Sequence, residues 1–331
     1  EVVVVVVVVV VLVVVVVVLE EILLLEILLL PKVIPLNPKS TVFVAKVEGV
    51  SLAEPLASET VEALFHALDT FAVLVFPNQA LTDEQHIRFS RYFGDLELAT
   101  GDYMKQDDRR LQMELNDISN LDRAGGKMEA ADPKRLFSLG NMLWHSDSSF
   151  KAIPAQYSIL SAKIIPATEG DTEFADMRAA WNALDEKTQQ KCLGQVTRHS
   201  QLYSRGELGF TEFREDQQEA MIPVQQALVR RHPRTKNISL YLSAHAGMIE
   251  GWTVPESRIF LKRLTEHATQ REFTFQNKWS VNDLVIWDNQ ATMHRAMGYD
   301  NKEVRDMRRT TIAGVTSVSY THLTLPTSDL V

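Results

Sequence analysis

The chain has 331 residues, with 34 Lys and Arg against 43 Asp and Glu, a net charge of −9, and 45% hydrophobic against 23% charged residues. This composition excludes a disordered or collagen-like chain, and the acidic balance argues against a nucleic-acid binder, because phosphate attraction needs clustered Lys and Arg. The single cysteine, Cys192, excludes an intramolecular disulfide framework and points to a reducing compartment, the cytoplasm.

Residues 2–19 are all Val or Leu, followed by the near-repeat EILLLEILLL. The run is long enough for a membrane span, but it has no aromatic belt and is flanked by Glu20 and Glu21 where an anchor carries Lys or Arg. It also lacks the basic start and small-residue cleavage site of a signal peptide. Residues 1–40 are therefore read as a low-complexity tail, an artefact of the gene sequence, with no membrane partner expected. Residues 316–331 form a second tail, whose SYTHLTLPTSDLV resembles translated adaptor sequence. The length permits two domains or one large β domain, and residues 41–315 are read as a single one.

That domain opens on a strand-like TVFVAKV. A helix follows, with Val61, Leu64, Phe65 and Leu68 on one stripe and Ser58 as its expected cap. AVLVF, residues 72–76, predicts a buried strand ended by Pro77. Thr82 and Gln85 form a capping box for a helix that stops near Gly94. Residues 100–140 are polar, with Gly125–Gly126 and Pro133, and are expected to be a long mobile loop over a site. Beyond residue 141, YSILSAKII, NISLYLSA, REFTFQNKW and DLVIWD predict short strands, interrupted by helices near Met177–Leu184 and Pro255–His267. Many short strands with few helices predict a mainly β (α+β) fold, a β-sandwich or jelly roll under helical cover. There is no internal repeat, P-loop or GxGxxG.

The chemistry concentrates in NMLWHSDSSF, residues 141–150. His145 and Asp147 are two apart, and in a strand positions i and i+2 share a face, so an imidazole and a carboxylate can grip one ion. A second segment, DLVIWDNQATMHR, presents His294 just past a buried strand. Two His and one carboxylate make the facial triad of non-haem Fe(II) oxygenases, which leaves positions open for co-substrate and oxygen. H-x-D alone is a weak signal that is usually a surface pair, and a strand histidine is usually structural. The case is lifted by Thr172 in EGDTEF and by Arg305, Arg308 and Arg309 after His294. A dicarboxylate that chelates iron at one end needs a hydroxyl and a cation for its other end, and the arginine fork suits a carboxylate.

NMLWHSDSSF, GDTEFADMRAA, HATQREF and WDNQATMHR with its trailing arginines resemble the 2-oxoglutarate-dependent taurine dioxygenase family, and within it the 2,4-dichlorophenoxyacetate (aryloxyacid) branch. The resemblance covers about Thr41 to Val315. It implies a double-stranded β-helix (jelly-roll) core and a dioxygenase using Fe(II), 2-oxoglutarate and O2. It further implies His145, Asp147 and His294 as iron ligands and Thr172 and Arg305 on the far carboxylate of 2-oxoglutarate. Arg309 falls to the substrate anion, and Asn141 to a position that orients groups near the metal. His232 and His245 match histidines of the aryloxyacid branch, with His232 either touching the substrate carboxylate or structural. In a strand Arg305 and Arg309 share the inward face and Arg308 points out. Asp288-Asn289-Gln290 departs from the commoner Asp-Asn-Arg, which bears on contacts behind the distal histidine. The expected substrate is an aryloxyalkanoic acid. A taurine, sulfonate or other small-anion dioxygenase stays open, as does a non-catalytic jelly-roll ligand-binding protein, and a homo-oligomer is neither required nor excluded.

Overall fold

The computed structural model describes residues 14–17, 30–99 and 109–314. Most of the Val- and Leu-rich N-terminal tail, the first part of the polar 100–140 stretch and the C-terminal tail lie outside them. Helices and strands mix in about equal shares, so the fold is less dominated by strands than the sequence suggests. The large sheet has seven strands in the order β1 (Lys32–Pro35), β2 (Ala45–Glu48), β3 (Val73–Phe76), β13 (Leu284–Asp288), β5 (Ala155–Ile164), β15 (Asp306–Ala313) and β4 (Asn116–Ser119). Among the described residues three small sheets accompany it: β12 (Thr274–Asn277), β6 (Thr172–Asp176) and β14 (Thr292–Ala296); β11 (Ala246–Ile249), β7 (Val196–His199) and β8 (Val224–Ala227); and β10 (Ile238–Leu240) with β9 (Val229–Arg231). β1 pairs with β2 in antiparallel register, so ordered pairing begins ahead of residue 41.

The large sheet has two dry faces, and the side-chain alternation of its strands assigns each residue to one of them. Leu74, Phe76, Ile159, Ile286 and Ile312 pack beneath the helices Ser58–Phe71 and Asp83–Ser90 with Leu64, Leu68 and Phe89. Val73, Val75, Leu160, Trp287 and Met307 face the other way, against Phe174 of β6 and Phe275 of β12. A third cluster seats the helix Val254–Ala268 on Leu240, Leu242, Ile249 and Met293. β3 and β13 are buried along their whole length, which is why VLVF and LVIWD are unbroken apolar runs. The functional side chains emerge in the layer between the large sheet and the β12–β6–β14 sheet.

Local expectations were met unevenly. Thr82 and Gln85 do form the capping box, each side chain bonded to the other's backbone N–H. Ser58 is not a cap: Ala57 is the extended residue at the boundary, and the Ser58 hydroxyl turns to Glu59. The polar stretch before residue 141 is not simply a loop. Its part from residue 109 on supplies β4, which pairs with β15, and the helix Pro133–Ser138, capped by Asp132. Polarity misleads there because β4 is an edge strand of intermediate exposure whose polar side chains find partners, Asp117 being paired with Arg110.

Candidate metal centre

His145 and His294 meet through their backbones. The His145 N–H donates to the His294 carbonyl at 3.0 Å, and the His294 N–H returns the bond at 2.9 Å. β14 thus carries His294 to an isolated bridge with His145. Asp147 does not continue a strand, as the i, i+2 argument supposed. The chain turns after the bridge, with Ser148 in the left-handed region at φ 50°. The carboxylate still reaches the imidazoles: Oδ1 lies 3.8 Å from His145 Nε2, and Oδ2 lies 3.6 Å from His294 Nε2. One ligand atom from each residue falls within 4.8 Å of the others, close enough for one ion, and all three side chains are buried.

The protonation states suit a cation. Burial pushes both imidazoles down, His294 well below the usual range, so they are neutral with a lone pair to give. The His145 Nδ1–H is held by the Leu143 carbonyl at 2.7 Å, which leaves Nε2 facing Asp147. Burial raises the Asp147 carboxyl, but the Arg309 guanidinium beside it, with the Ser158 hydroxyl, holds it well below the ordinary carboxylate range.

Two cavities meet at this triad and share Ile118, Asn141, His145 and Arg309. The inner one adds Thr172, His294, Trp287 and Arg305. The outer one adds Asp147, Phe137, Phe150, Lys151, Arg205 and His245. A further surface hollow between the Ser58–Phe71 helix and Tyr92 shares no lining residue with either.

Arg305 is 4% exposed, and among the described residues no carboxylate pairs with it. Its Nε has no partner, Nη1 makes only a 3.4 Å contact with the Ile118 carbonyl, and Tyr299 lies 5.8 Å away. Burial pushes this guanidinium down to about 10. A buried cation without a counter-ion is costly, and here it faces a cavity that also holds Thr172. The Thr172 oxygen accepts from Trp279 Nε1 at 3.0 Å, which leaves its own proton to donate. The residues therefore fit a metal ion with an anionic chelator beside it. Arg309 contacts the Asp147 carboxylate directly, so one of its nitrogens is committed to the triad. Arg308 points to the helix-covered face and pairs with Asp83 and Asp306.

His232 is not brought to the site. It lines neither cavity; its Nε2 is 2.9 Å from Asp288 Oδ2, and its Nδ1 accepts from the Thr235 N–H. The reason is the short β9–β10 hairpin, which turns at His232–Asn237 behind β13. His245 is the histidine that enters the outer cavity, 6.0 Å from the His145 ring and held by Ser204. Lys127 is exposed and reaches the Lys302 carbonyl. Cys192 is buried, and burial pushes its thiol up to about 12, so it is no nucleophile. Arg205, Lys151 and Ser158 carried no sequence signal of function, and Asn289 only its place in WDNQATMHR, because what each faces depends on which strands become neighbours. Among the described residues no helix is long and apolar enough to cross a membrane.

Residues 32–311 match the Taurine catabolism dioxygenase TauD, TfdA family. An alpha-ketoglutarate-dependent 2,4-dichlorophenoxyacetate dioxygenase of Cupriavidus pinatubonensis is 43% identical over 279 residues, 83% of this chain and 96% of that protein. An (S)-phenoxypropionate/alpha-ketoglutarate-dioxygenase of Delftia acidovorans is 34% identical, over 84% of this chain and 94% of its own. The crystal structure of AAD-2 in complex with Mn(II) and N-oxalylglycine aligns with a TM-score of 0.83 at 47% identity, over 86% of this chain and 98% of that one.

Proposed function

The chain belongs to the Taurine catabolism dioxygenase TauD, TfdA family and is a 2-oxoglutarate-dependent dioxygenase, and we propose that it oxidises an aryloxyalkanoic acid such as 2,4-dichlorophenoxyacetate to a phenol and a 2-oxo acid, with succinate and CO2 as co-products. The observation that carries this reading is the buried Arg305, which no carboxylate pairs among the described residues, in a cavity that His145 and His294 also line. We read the core as a jelly roll, with the segment from β1 to β15 as one domain. The lone buried Cys192 supports placing the enzyme in a reducing compartment, the cytoplasm.

His145, Asp147 and His294 would hold Fe(II), and Thr172 and Arg305 would take the far carboxylate of 2-oxoglutarate. Iron with 2-oxoglutarate and O2 supplies the oxidation when bound. The chain's own part is positioning and charge. Arg305 would pair with one carboxylate of the dicarboxylate in a buried site, where a charge-assisted pair is strong. Arg309 stands on the boundary of the two cavities, steadies Asp147 and offers its remaining donors to the substrate carboxylate. Asn141 lines both cavities beside it. Phe137, Phe150 and Leu98 give the outer cavity apolar wall for an aromatic ring. His232 has no part in this reading.

The test is a turnover screen across aryloxyacids, sulfonates and aliphatic acids, with succinate as readout. Preference for aryloxyacids supports the assignment. Preference for taurine keeps the family and replaces the substrate, and no succinate with any acid leaves a ligand-binding protein.

A further inference from the structure

We propose that Ser158 and Asn289 form a clamp that fixes the Asp147 carboxylate, which makes them positioning residues for the metal. The inference rests on the triad being a metal site. Its starting point is that Asp147 sits in a turn, where no strand ladder holds it. The Asp147 N–H donates to Asn289 Oδ1 at 3.0 Å, and Trp287 Nε1 donates to the same oxygen at 3.1 Å. Two donors on one atom settle which way the Asn289 amide faces, since the reversed amide would set N–H against N–H. Nδ2 must therefore point to Ser158 Oγ, which it meets at 2.9 Å. With its oxygen accepting from Asn289, the Ser158 hydroxyl gives its one proton to Asp147 Oδ2, at 2.7 Å.

One amide thus holds Asp147 twice, by its backbone directly and by its carboxylate through Ser158. The anchor is rigid. Trp287 and Ser158 are cross-strand partners on β13 and β5, and the Asn289 N–H is bonded to the Gln156 carbonyl. Ser158 and Asn289 are 0% exposed and Trp287 is 1% exposed, so water does not compete. Arg309 takes the other oxygen of Asp147. With Ser158 on one oxygen and Arg309 on the other, the carboxylate cannot swing about its own axis. Without the Ser158 hydroxyl it can rotate toward Arg309, and the Asn289 amide is left with a buried unpaired donor.

The experiment titrates metal-free protein with Co(II), followed by its visible absorption, beside thermal melts of the same samples. Ser158→Ala is compared with wild type and with Ser161→Ala, a serine of the same strand that faces the helices and bonds His86 instead. Outer partners of metal ligands typically contribute about ten- to a hundredfold in metal affinity. Ser158→Ala is expected to lose about that much and to change the Co(II) spectrum, while Ser161→Ala loses thermal stability alone. Ser158→Cys keeps a donor, weaker and on a larger atom, and should fall between; it replaces the alanine variant if that does not fold. Wild-type Co(II) affinity and spectrum in the Ser158 variants, or an equal loss of affinity in Ser161→Ala, overturns the clamp alone. Failure of the wild type to bind Co(II) overturns the metal centre and the clamp with it.

Discussion

Trp287 lies between the two halves of the site: its ring is 4.7 Å from the His294 ring, while its Nε1 donates to Asn289, which holds Asp147. The distal histidine and the carboxylate, far apart in sequence, are thereby set by one buried indole. Substituting a ligand should therefore disturb metal binding far more than folding.

His145→Ala, Asp147→Ala and His294→Ala are each expected to abolish iron-dependent turnover, because two remaining ligands leave the site too weak and too open. Asp147→Glu keeps the charge but moves the carboxylate one methylene away from Ser158, and should retain partial activity. Co(II) titration and succinate release check both, and full activity in any alanine variant refutes the triad.

Arg305→Gln should raise the 2-oxoglutarate requirement strongly. Breaking a buried charge-assisted pair costs about 3–5 kcal/mol, whereas Thr172→Val should cost about 1–3 kcal/mol. Part of the threonine effect belongs to folding, since Trp279 Nε1 loses its acceptor. Affinity for 2-oxoglutarate and the thermal midpoint separate the two, and unaltered affinity in Arg305→Gln contradicts the assignment.

Arg309→Ala should act on two quantities together. The substrate requirement rises, and succinate is formed in excess over oxidised substrate because Asp147 and the substrate anion lose a shared cation. Arg309→Lys keeps the charge and should recover part of the coupling. The ratio of succinate to phenol is the readout, and a ratio unchanged in Arg309→Ala speaks against this role.

Stability should fall with acid through a group remote from catalysis. His86 is fully buried between Ile159, Ser161 and Thr310, and burial, with help from Lys163 and Arg308, pushes it down to about 3. Its folded-state value is depressed, so its contribution is fully present above the unfolded value of about 6.5 and is lost as pH falls toward 3, by about 1.4 kcal/mol per unit. Denaturant unfolding between about pH 7 and 5 should show a steeper loss for wild type than for His86→Gln. Equal slopes would mean that His86 is charged or exposed in the fold.

The sequence was legible where one periodicity dominated. AVLVF and DLVIWD announce central strands because both their faces are dry, and Thr82 with Gln85 announces a helix start because capping is local. That His145, Asp147 and His294 would come together was legible from residue type and spacing even though the geometry behind the spacing differs: Asp147 reaches His145 through a turn rather than along a strand. β15 fits the alternation, with Arg309 on the cavity side and Arg308 on the helix side. What stayed hidden depends on tertiary neighbours. Ser158 faces the site and Ser161 faces the helices, yet nothing in YSILSAKII separates the two roles. The choice between His232 and His245 was equally hidden, since the β9–β10 hairpin alone directs His232 to Asp288. The polar stretch around β4 looked like loop because an edge strand with half-buried faces carries no apolar signature.

The most direct measurement incubates the iron-loaded enzyme with 2-oxoglutarate and 2,4-dichlorophenoxyacetate and quantifies phenol, glyoxylate and succinate together. The account predicts the three in equal amounts, all of them lost in His294→Ala. Succinate without phenol, or faster turnover of taurine than of the aryloxyacetate, would contradict it.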